Sequence, residues 1–292
     1  MKGFDPELIP DRYKGLEGLI LWTKESLQAD DIDTANWMLN DLYERYEHNI
    51  EQKFWVAWLY GQTYHGPGAW VLWNRWPDQD LVHPGALREW WIDSKTKVPY
   101  QTDKNKQKAG LPDFYENYHS WLDGRLQMDV IKPDFDYMWD ALPKAIGLGD
   151  FSRWYYLQTL SETVFDNQFD ATSFRFNEVS PKNSYKTGAL IAAEEFNWMG
   201  KRLDKFMNDW LEDAMTDVAK AAGVTRFQLE TTLCSYKKLA RAHDSRYIGY
   251  YLDRQASDIK ACAGYTGVDW RPWWEAREER NISSEKEQLT LF

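Results

Sequence analysis

Hydrophobic residues recur along most of this chain at three- and four-residue intervals, which predicts amphipathic α-helices. Segments that alternate polar and apolar residues with a period of two, as half-buried strands do, are few. The sequence therefore predicts an all-α fold. The predicted helices cover residues 14–29, 32–48, 50–64, 69–76, 84–91, 112–124, 133–145, 150–164, 201–222, 225–236 and 247–263.

The length of the chain, 292 residues, allows one large domain or two small ones. We predict a single all-α domain over residues 1–276, with two helical lobes, 1–130 and 131–276, as the alternative organisation. Residues 277–292 are charged and are predicted to form a flexible tail. The lysine-rich segment 93–110 is predicted to be a mobile basic loop, either solvated or following a nucleic-acid strand.

Composition adds aromatic content and an uneven charge to this picture. Aromatic residues make up 16% of the chain and include 17 Trp, so large rings are expected to stack where helices cross. The net charge of −11 argues against a general polyanion-binding protein. Between Lys220 and Lys260, however, eight lysine and arginine residues outnumber four acidic residues. One basic face on an acidic body is therefore expected.

Cysteine usage and hydropathy limit the setting of the protein. Cys234 and Cys262 are too few for a disulfide framework, and no Cys/His pattern suggests zinc. The first ten residues are polar and broken by two prolines, unlike a secretory signal, and the apolar runs are too short for a membrane span. We expect a cytoplasmic protein that uses no metal and no cofactor, and that has no membrane partner.

A pair of glycines, Gly147 and Gly149, lies between an apolar helical run and the next predicted helix. This spacing predicts a tight hairpin between two helices, a helix-hairpin-helix pattern. Its outward N–H groups and the positive end of the second helix would hold a phosphate without any side chain. The alternative is an ordinary helix C-cap.

Two further blocks combine small, polar and basic residues. Ser180 to Gly188 precedes a predicted helix and is typical of an anion-binding helix start. In the other block, Cys234 lies near Lys237, Lys238 and Arg241 on one helix, where cations are expected to lower the pKa of a thiol. A buried structural cysteine is the alternative for Cys234.

These blocks, in this order, resemble the phage family of α-glutamyl/putrescinyl thymine pyrophosphorylases, which are amino acid:DNA transferases. They also resemble the helical domain attached to phage 5-hydroxymethyluracil DNA kinases. The resemblance covers roughly residues 140–260, and no kinase P-loop is present, which favours the transferase. The residues that carry it are Gly147-x-Gly149-x-Phe151 with Gln158 and Leu160, Pro181 to Gly188-Ala189-Leu190, and Leu233-Cys234-Ser235-Tyr236-Lys237.

The resemblance implies an enzyme of DNA hypermodification, in the host cytoplasm if phage-encoded. Its substrates would be double-stranded DNA whose thymine methyl carries a phosphate or pyrophosphate ester, and an amino acid or polyamine that displaces this group. Expulsion of the ester is easier after a thiolate adds to carbon 6 of an extruded pyrimidine.

The candidate residues fall into three sets by role. The catalytic set pairs Cys234 as the nucleophile with His243 and Asp253 as candidates for the base that deprotonates the amine. The base-stacking set is aromatic: Trp154, Tyr155, Tyr247 and Tyr250. The phosphate- and DNA-binding set is Gly147, Gly149, Arg153, Lys182, Ser184, Lys186, Lys237, Lys238, Arg241 and Arg254.

Two other functions remain open from the residues. A helix-hairpin-helix DNA glycosylase or lyase needs a Lys or Asp just beyond the hairpin, and Asp166 and Asp170 lie at about that distance. A non-catalytic helical DNA-binding module would bind without turnover. The products distinguish the three functions. A glycosylase would release free base, a transferase would release phosphate or pyrophosphate and leave a heavier nucleoside, and a binding module would do neither.

Overall fold

A computed structural model describes residues 4–94, 110–242, 246–265 and 267–279 of the chain. These residues contain helices and no strand, so the predicted all-α fold is confirmed for them. The helices are α1 Gly15–Gln28, α2 Thr34–Arg45, α3 Ile50–Thr63, α4 Gly66–Arg75, α5 Pro84–Ser94, α6 Leu111–Leu122, α7 Gln127–Val130, α8 Phe135–Ala141, α9 Asp150–Thr163, α10 Ser184–Ala192, α11 Lys205–Ala222, α12 Arg226–Leu239, α13 Tyr250–Cys262 and α14 271–279.

Helix ends follow local chemistry closely. Thr225 and Gln228 form a capping box at the start of α12, and Asp204 caps α11. Gly223 ends α11 in the left-handed conformation, as the sequence predicts. The predicted basic loop lies largely outside the described residues, as do residues 280–292 of the predicted tail. Residues 277–279 belong to α14.

The chain divides into two compact units, each built from separate segments. Unit 1 contains residues 1–33 and 170–252, and unit 2 contains residues 34–169 and 253–292. Unit 1 therefore holds α1, α10, α11 and α12, and unit 2 holds α2 to α9 and α14. Helix α13 begins in unit 1 and continues in unit 2. The predicted lobe boundary at residue 130 stays a prediction.

Unit 1 is organised around α12, which packs against α1, α10 and α11. Its side chains bind the N-terminal segment directly: Tyr236 donates its hydroxyl to the Tyr13 carbonyl (2.5 Å), and the Trp22 indole donates to the Ser235 hydroxyl (3.2 Å). Buried polar groups of this kind are stable only when they are paired. The pairs fix the register of α1 on α12.

Unit 2 is organised around α3, whose residues from Phe54 to Thr63 are all buried. An all-round apolar helix must be enclosed by others, and α3 packs against α4, α7 and α9. Trp58 stacks between Trp55 (5.2 Å between ring centroids) and Tyr118 (4.9 Å). The predicted stacking of large rings at helix crossings is confirmed here.

Candidate functional site

Helices α10 and α12 of unit 1 touch backbone to backbone at Gly188. A Cβ atom on Gly188 would lie 2.2 Å from the carbonyl oxygen of Leu233, a distance no side chain tolerates. Glycine at this position therefore permits the close crossing. Because Ser184 lies one turn before Gly188, and Cys234 directly follows Leu233, the crossing brings the two sequence blocks together.

A polar stripe runs along α12 at this crossing, at the i, i+4 and i+7 positions that share one helix face. The Cys234 thiol donates to Glu230 Oε1 at 3.3 Å, and Lys237 Nζ donates to the Ser184 hydroxyl on α10. Glu230 is 2% exposed and Lys237 is 9% exposed. We call Ser184, Glu230, Cys234 and Lys237 the thiol cluster.

Burial controls the titration of the thiol cluster. Burial raises the pKa of Glu230 to about 8, opposed by the hydrogen bond from Cys234 and by Lys237. Burial and the neighbouring Glu230 hold the pKa of the Cys234 thiol well above its ordinary value. The expected lowering of the Cys234 pKa is therefore wrong for this structure, because desolvation and a carboxyl group outweigh the cation on the next turn.

The segment between α1 and α2 adds two buried aspartates that sequence reasoning missed. Asp33 accepts from the hydroxyl of Thr231 on α12 at 2.6 Å. Asp31 accepts from the backbone N–H groups of Tyr251 (2.5 Å) and Leu252 (3.3 Å) at the start of α13, and burial raises its pKa to about 7. The sequence signal for Glu230 was its position four residues before Cys234, which places both on one helix face.

The predicted phosphate-binding lysines of unit 1 lie in different environments. Lys186 is fully buried and donates from Nζ to the Phe176 carbonyl oxygen at 3.1 Å, and burial, followed by the charge of Arg202, lowers its pKa. It does not precede α10, as the sequence suggested, because the helix begins at Ser184 with Asn183 as its cap. Lys182, just outside the helix, is exposed.

The other cations and rings predicted for unit 1 lie beyond the thiol cluster. Lys238 is half-buried, and the Arg241 guanidinium lies over the Phe4 ring at 4.6 Å. Tyr247 is half exposed and meets Tyr250 edge-on, with 5.8 Å between their ring centroids. His243, the candidate base, lies outside the described residues.

The glycine hairpin belongs to unit 2. Gly147 has φ +83°, and a Cβ there would lie 2.4 Å from Gln62 Oε1, so glycine is required at the turn. Gly149 is exposed and forms the N-cap of α9, whose first N–H groups therefore have no helical carbonyl partner. Beside this start, Lys144 pairs with Asp150 at 3.2 Å.

The side chains predicted to flank the hairpin pack inside unit 2. Arg153 is buried and donates from Nη1 to the Trp139 carbonyl oxygen at 2.6 Å. Trp154 is fully buried and meets Phe135 edge-on. Tyr155 is half-buried, stacks on Tyr64 at 4.3 Å and shares a hydrogen bond with the Tyr60 hydroxyl. In this structure these residues support the hairpin from within.

Two of the remaining candidates lie at the start of the unit 2 part of α13. Asp253 is largely exposed, with its Oδ1 3.5 Å from Arg277 Nη2. Arg254 approaches Asp258 at 3.6 Å, and the buried His65 lies 3.4 Å from the same carboxylate. Arg254 thus belongs to an ion-pair network within unit 2.

One of the two acidic residues at about glycosylase spacing has a structural role. Asp170 accepts from the backbone N–H groups of Arg226 (2.9 Å) and Phe227 (3.2 Å), and so satisfies the first amides of α12. A carboxylate held by two amides in this way is not presented as a free base. The structure offers no support for Asp170 as a lyase residue.

A buried amide and carboxyl network in unit 2 was also missed from sequence. Glu162 accepts from Asn36 Nδ2 at 2.6 Å and from Gln158 Nε2 at 3.1 Å, while Asn40 donates to the Glu162 carbonyl. These bonds tie α2 to α9.

Within the described ranges, no group of three or more His, Cys, Asp or Glu side chains is arranged to hold a metal ion. Nor does any described helix combine the length and the apolar content that crossing a membrane requires.

Comparison with known proteins identifies a curated relative. No protein-family model matches the chain, and no solved structure matches it. Among curated proteins it is similar to a serinyltransferase of Salmonella phage ViI, with 27% identity over 268 residues. The match covers 78% of this chain and 63% of the relative, so the chain spans less than two-thirds of the relative's length.

Proposed function

We propose that this chain is a phage DNA-hypermodification enzyme that transfers an amino acid or polyamine onto phosphorylated or pyrophosphorylated 5-hydroxymethyluracil in DNA. The serinyltransferase of Salmonella phage ViI supports an amino-acid transferase and makes serine the first amine to test. The observation that carries the proposal is the thiol cluster. In it a cysteine shares one buried polar helix face with a carboxyl group, which its thiol contacts, and with an ammonium group.

The chemistry begins at the sulfur of Cys234. As the S–C6 bond forms, the electron pair of the pyrimidine C5=C6 bond moves toward the carbonyl oxygen at C4. The return of these electrons breaks the exocyclic C–O bond and releases phosphate or pyrophosphate with the bonding pair. The amine then adds to the exocyclic methylene and loses a proton, and expulsion of the sulfur restores the C5=C6 bond.

The leaving group is an anion and needs fixed positive charge nearby. Lys237 supplies one buried ammonium within the thiol cluster. We propose that Lys182, Lys238 and Arg241, on the same unit, bind the ester or the adjacent backbone phosphates. In the second unit, we propose that the hairpin at Gly147 and Gly149 acts as a helix-hairpin-helix element, holding a backbone phosphate on the first amides of α9.

Mass spectrometry of nucleosides tests the proposed reaction. Duplex DNA containing pyrophosphorylated 5-hydroxymethyluracil is incubated with the protein and serine, then with pooled amino acids and with putrescine, and digested. A nucleoside heavier by the added amine, with release of pyrophosphate, is the expected result. Unmodified thymine DNA is the control and should give no product.

The same experiment separates the alternatives. A glycosylase would release free base and leave an abasic site. A non-catalytic module would bind the DNA and leave every nucleoside unchanged. Either outcome would contradict the transferase proposal.

A further inference from the structure

Glu230 has no part in the mechanism above, yet it is the acidic group that contacts the proposed nucleophile. Its Oε1 accepts the Cys234 thiol proton at 3.3 Å, and its side chain is almost completely buried. The hydroxyl of Ser184, the other polar neighbour, already accepts from Lys237. The geometry therefore offers the thiol proton a direct carboxyl acceptor within the described part of the cluster.

We propose that Glu230 is the proton partner of Cys234, taking the thiol proton as the sulfur bonds to carbon 6 and returning it when the sulfur leaves. This inference rests on the proposed function and adds a second catalytic residue to it. The step balances within the pair: the S–H bond breaks, its electrons form the S–C6 bond, and the proton joins Glu230 Oε1. On expulsion of the sulfur the same proton returns.

Several charged and polar groups around the pair act on the proton. Asp33, from the segment before α2, opposes ionisation of Glu230, and Lys237, on α12 itself, favours it. From α10, the Ser184 hydroxyl favours the thiolate. The other packed helices present groups already engaged: Trp22 of α1 donates to Ser235, and Glu212 of α11 accepts from the amides of Phe174 and Phe176.

The titration of Glu230 suits a group that exchanges protons near neutrality. With a pKa of about 8, it stays close to half-protonated at mildly alkaline pH, whereas an ordinary glutamate would be fully ionised. Once ionised, its negative charge beside the sulfur suppresses the thiolate. One proton is then shared by the pair, so the reactive thiolate fraction should stop rising with pH.

Alkylation by iodoacetamide tests this coupling without DNA or amine. In a Cys262→Ala background, which leaves Cys234 as the single thiol, the alkylation rate of the otherwise unaltered protein should level off above about pH 8. In Glu230→Gln the rate should keep rising by about tenfold for each pH unit, because the neutral amide adds no opposing charge. At pH 9 the variant should react about tenfold faster.

Turnover should change in the opposite direction. With its proton acceptor removed, Glu230→Gln should lose at least about tenfold in amine transfer at pH 7.5. A variant that is alkylated faster than its parent only above about pH 8, and that is slower in transfer, marks a proton partner, since exposure of the thiol by misfolding would speed alkylation at every pH. Glu17→Gln, a change on α1 outside the thiol cluster, is the matched control and should alter neither rate.

Two results would overturn the inference. Superimposable alkylation profiles for the Glu230→Gln variant and its parent would show that the carboxyl does not act on the sulfur. Undiminished transfer by a folded Glu230→Gln protein would exclude it as the proton carrier. Glu230→Asp, which keeps the carboxyl, should show the levelled profile if the amide variant fails to fold. If neither the parent nor any variant transferred an amine but the alkylation profiles still differed, the proposed function would be contradicted, while the coupling of Glu230 to Cys234 would stand.

Discussion

At the scale of single residues, Cys234 carries the chemical proposal. Its thiol is half-buried and hydrogen-bonded to Glu230, and burial raises its pKa, which lowers the reactivity of the free thiol. Cys234→Ser should abolish amine transfer, because a hydroxyl is far less nucleophilic than a thiol, while leaving DNA affinity unchanged. Nucleoside mass spectrometry and fluorescence anisotropy measure the two properties. Full transfer by the serine variant would exclude addition of the thiol.

Arg241 allows a second test of a single side chain. Its guanidinium lies over the Phe4 ring within unit 1, 4.6 Å from the ring centroid. Arg241→Ala should weaken binding of phosphorylated hydroxymethyluracil DNA several-fold more than binding of plain DNA. Anisotropy titrations at one fixed salt concentration measure both. Equal losses for both DNAs would assign Arg241 to general backbone contact.

Single residues also show where prediction from sequence stops. The spacing of Cys234 and Lys237 placed them correctly on one helix face, since helical periodicity is local. Sequence could not show that desolvation outweighs charge at Cys234, nor that Lys186 turns inward to the Phe176 carbonyl. Those outcomes depend on α10 meeting α12, a contact between segments far apart in the chain.

At the scale of elements, the hydrophobic pattern predicted most helices, missed the short α7 and placed the start of α10 too late. Helix α11 ends at Ala222, as predicted, because its apolar stripe is regular and Gly223 stops it. The four-residue α7 has too few positions to show a period, and α10 begins inside the block expected to precede it. Helix α10 shows no exposed polar face after its first residue, because Tyr185 to Ala192 are all buried.

The α10–α12 crossing yields a prediction about Gly188. Gly188→Ala would place a methyl carbon 2.2 Å from the Leu233 carbonyl oxygen, so the helices must separate. Overpacking of this kind costs roughly 1–3 kcal/mol and should lower the melting temperature by several degrees. It should also weaken the Lys237–Ser184 bond and reduce transfer. Differential scanning calorimetry measures the loss of stability.

Gly264→Ala is the matched control for that crossing. A Cβ on Gly264 meets no atom within 4 Å, so the substitution should leave the melting temperature nearly unchanged. If Gly188→Ala and Gly264→Ala both have the melting temperature of the parent protein, the backbone contact at Gly188 does not exist in solution.

At the scale of the whole molecule, composition gives the net charge but not the positions of the charged groups in the fold. A net charge of −11 disfavours indiscriminate attraction to DNA. Under the proposed function, DNA binding would depend on local groups, such as the amides at the start of α9 and the cations of unit 1. Several acidic residues are also buried. Because burial changes their protonation between the unfolded and the folded chain, the net charge calculated from composition does not describe them.

Asp31 and Glu230 make folding stability depend on pH. Burial raises the pKa of Asp31 from 3.8 to about 7 and that of Glu230 from 4.5 to about 8. Between those values the folded chain holds protons that the unfolded chain releases, so the free energy of unfolding should fall as pH rises. The stabilising contribution is complete below the unfolded values and is lost once the folded values are passed. Each group contributes up to about 1.4 kcal/mol per pH unit within its window.

Urea denaturation from pH 5 to pH 8.5 measures this slope directly, with m-values checked for constancy. Asp31→Asn and Glu230→Gln should each reduce the dependence of the free energy of unfolding on pH. The reason is that an amide can form hydrogen bonds in place of the carboxyl group but does not titrate. The two substitutions should act additively, since Asp31 caps α13 and Glu230 contacts Cys234, so their hydrogen-bond partners differ. A slope that neither amide substitution changes would show that the two carboxyl groups ionise freely in the folded state.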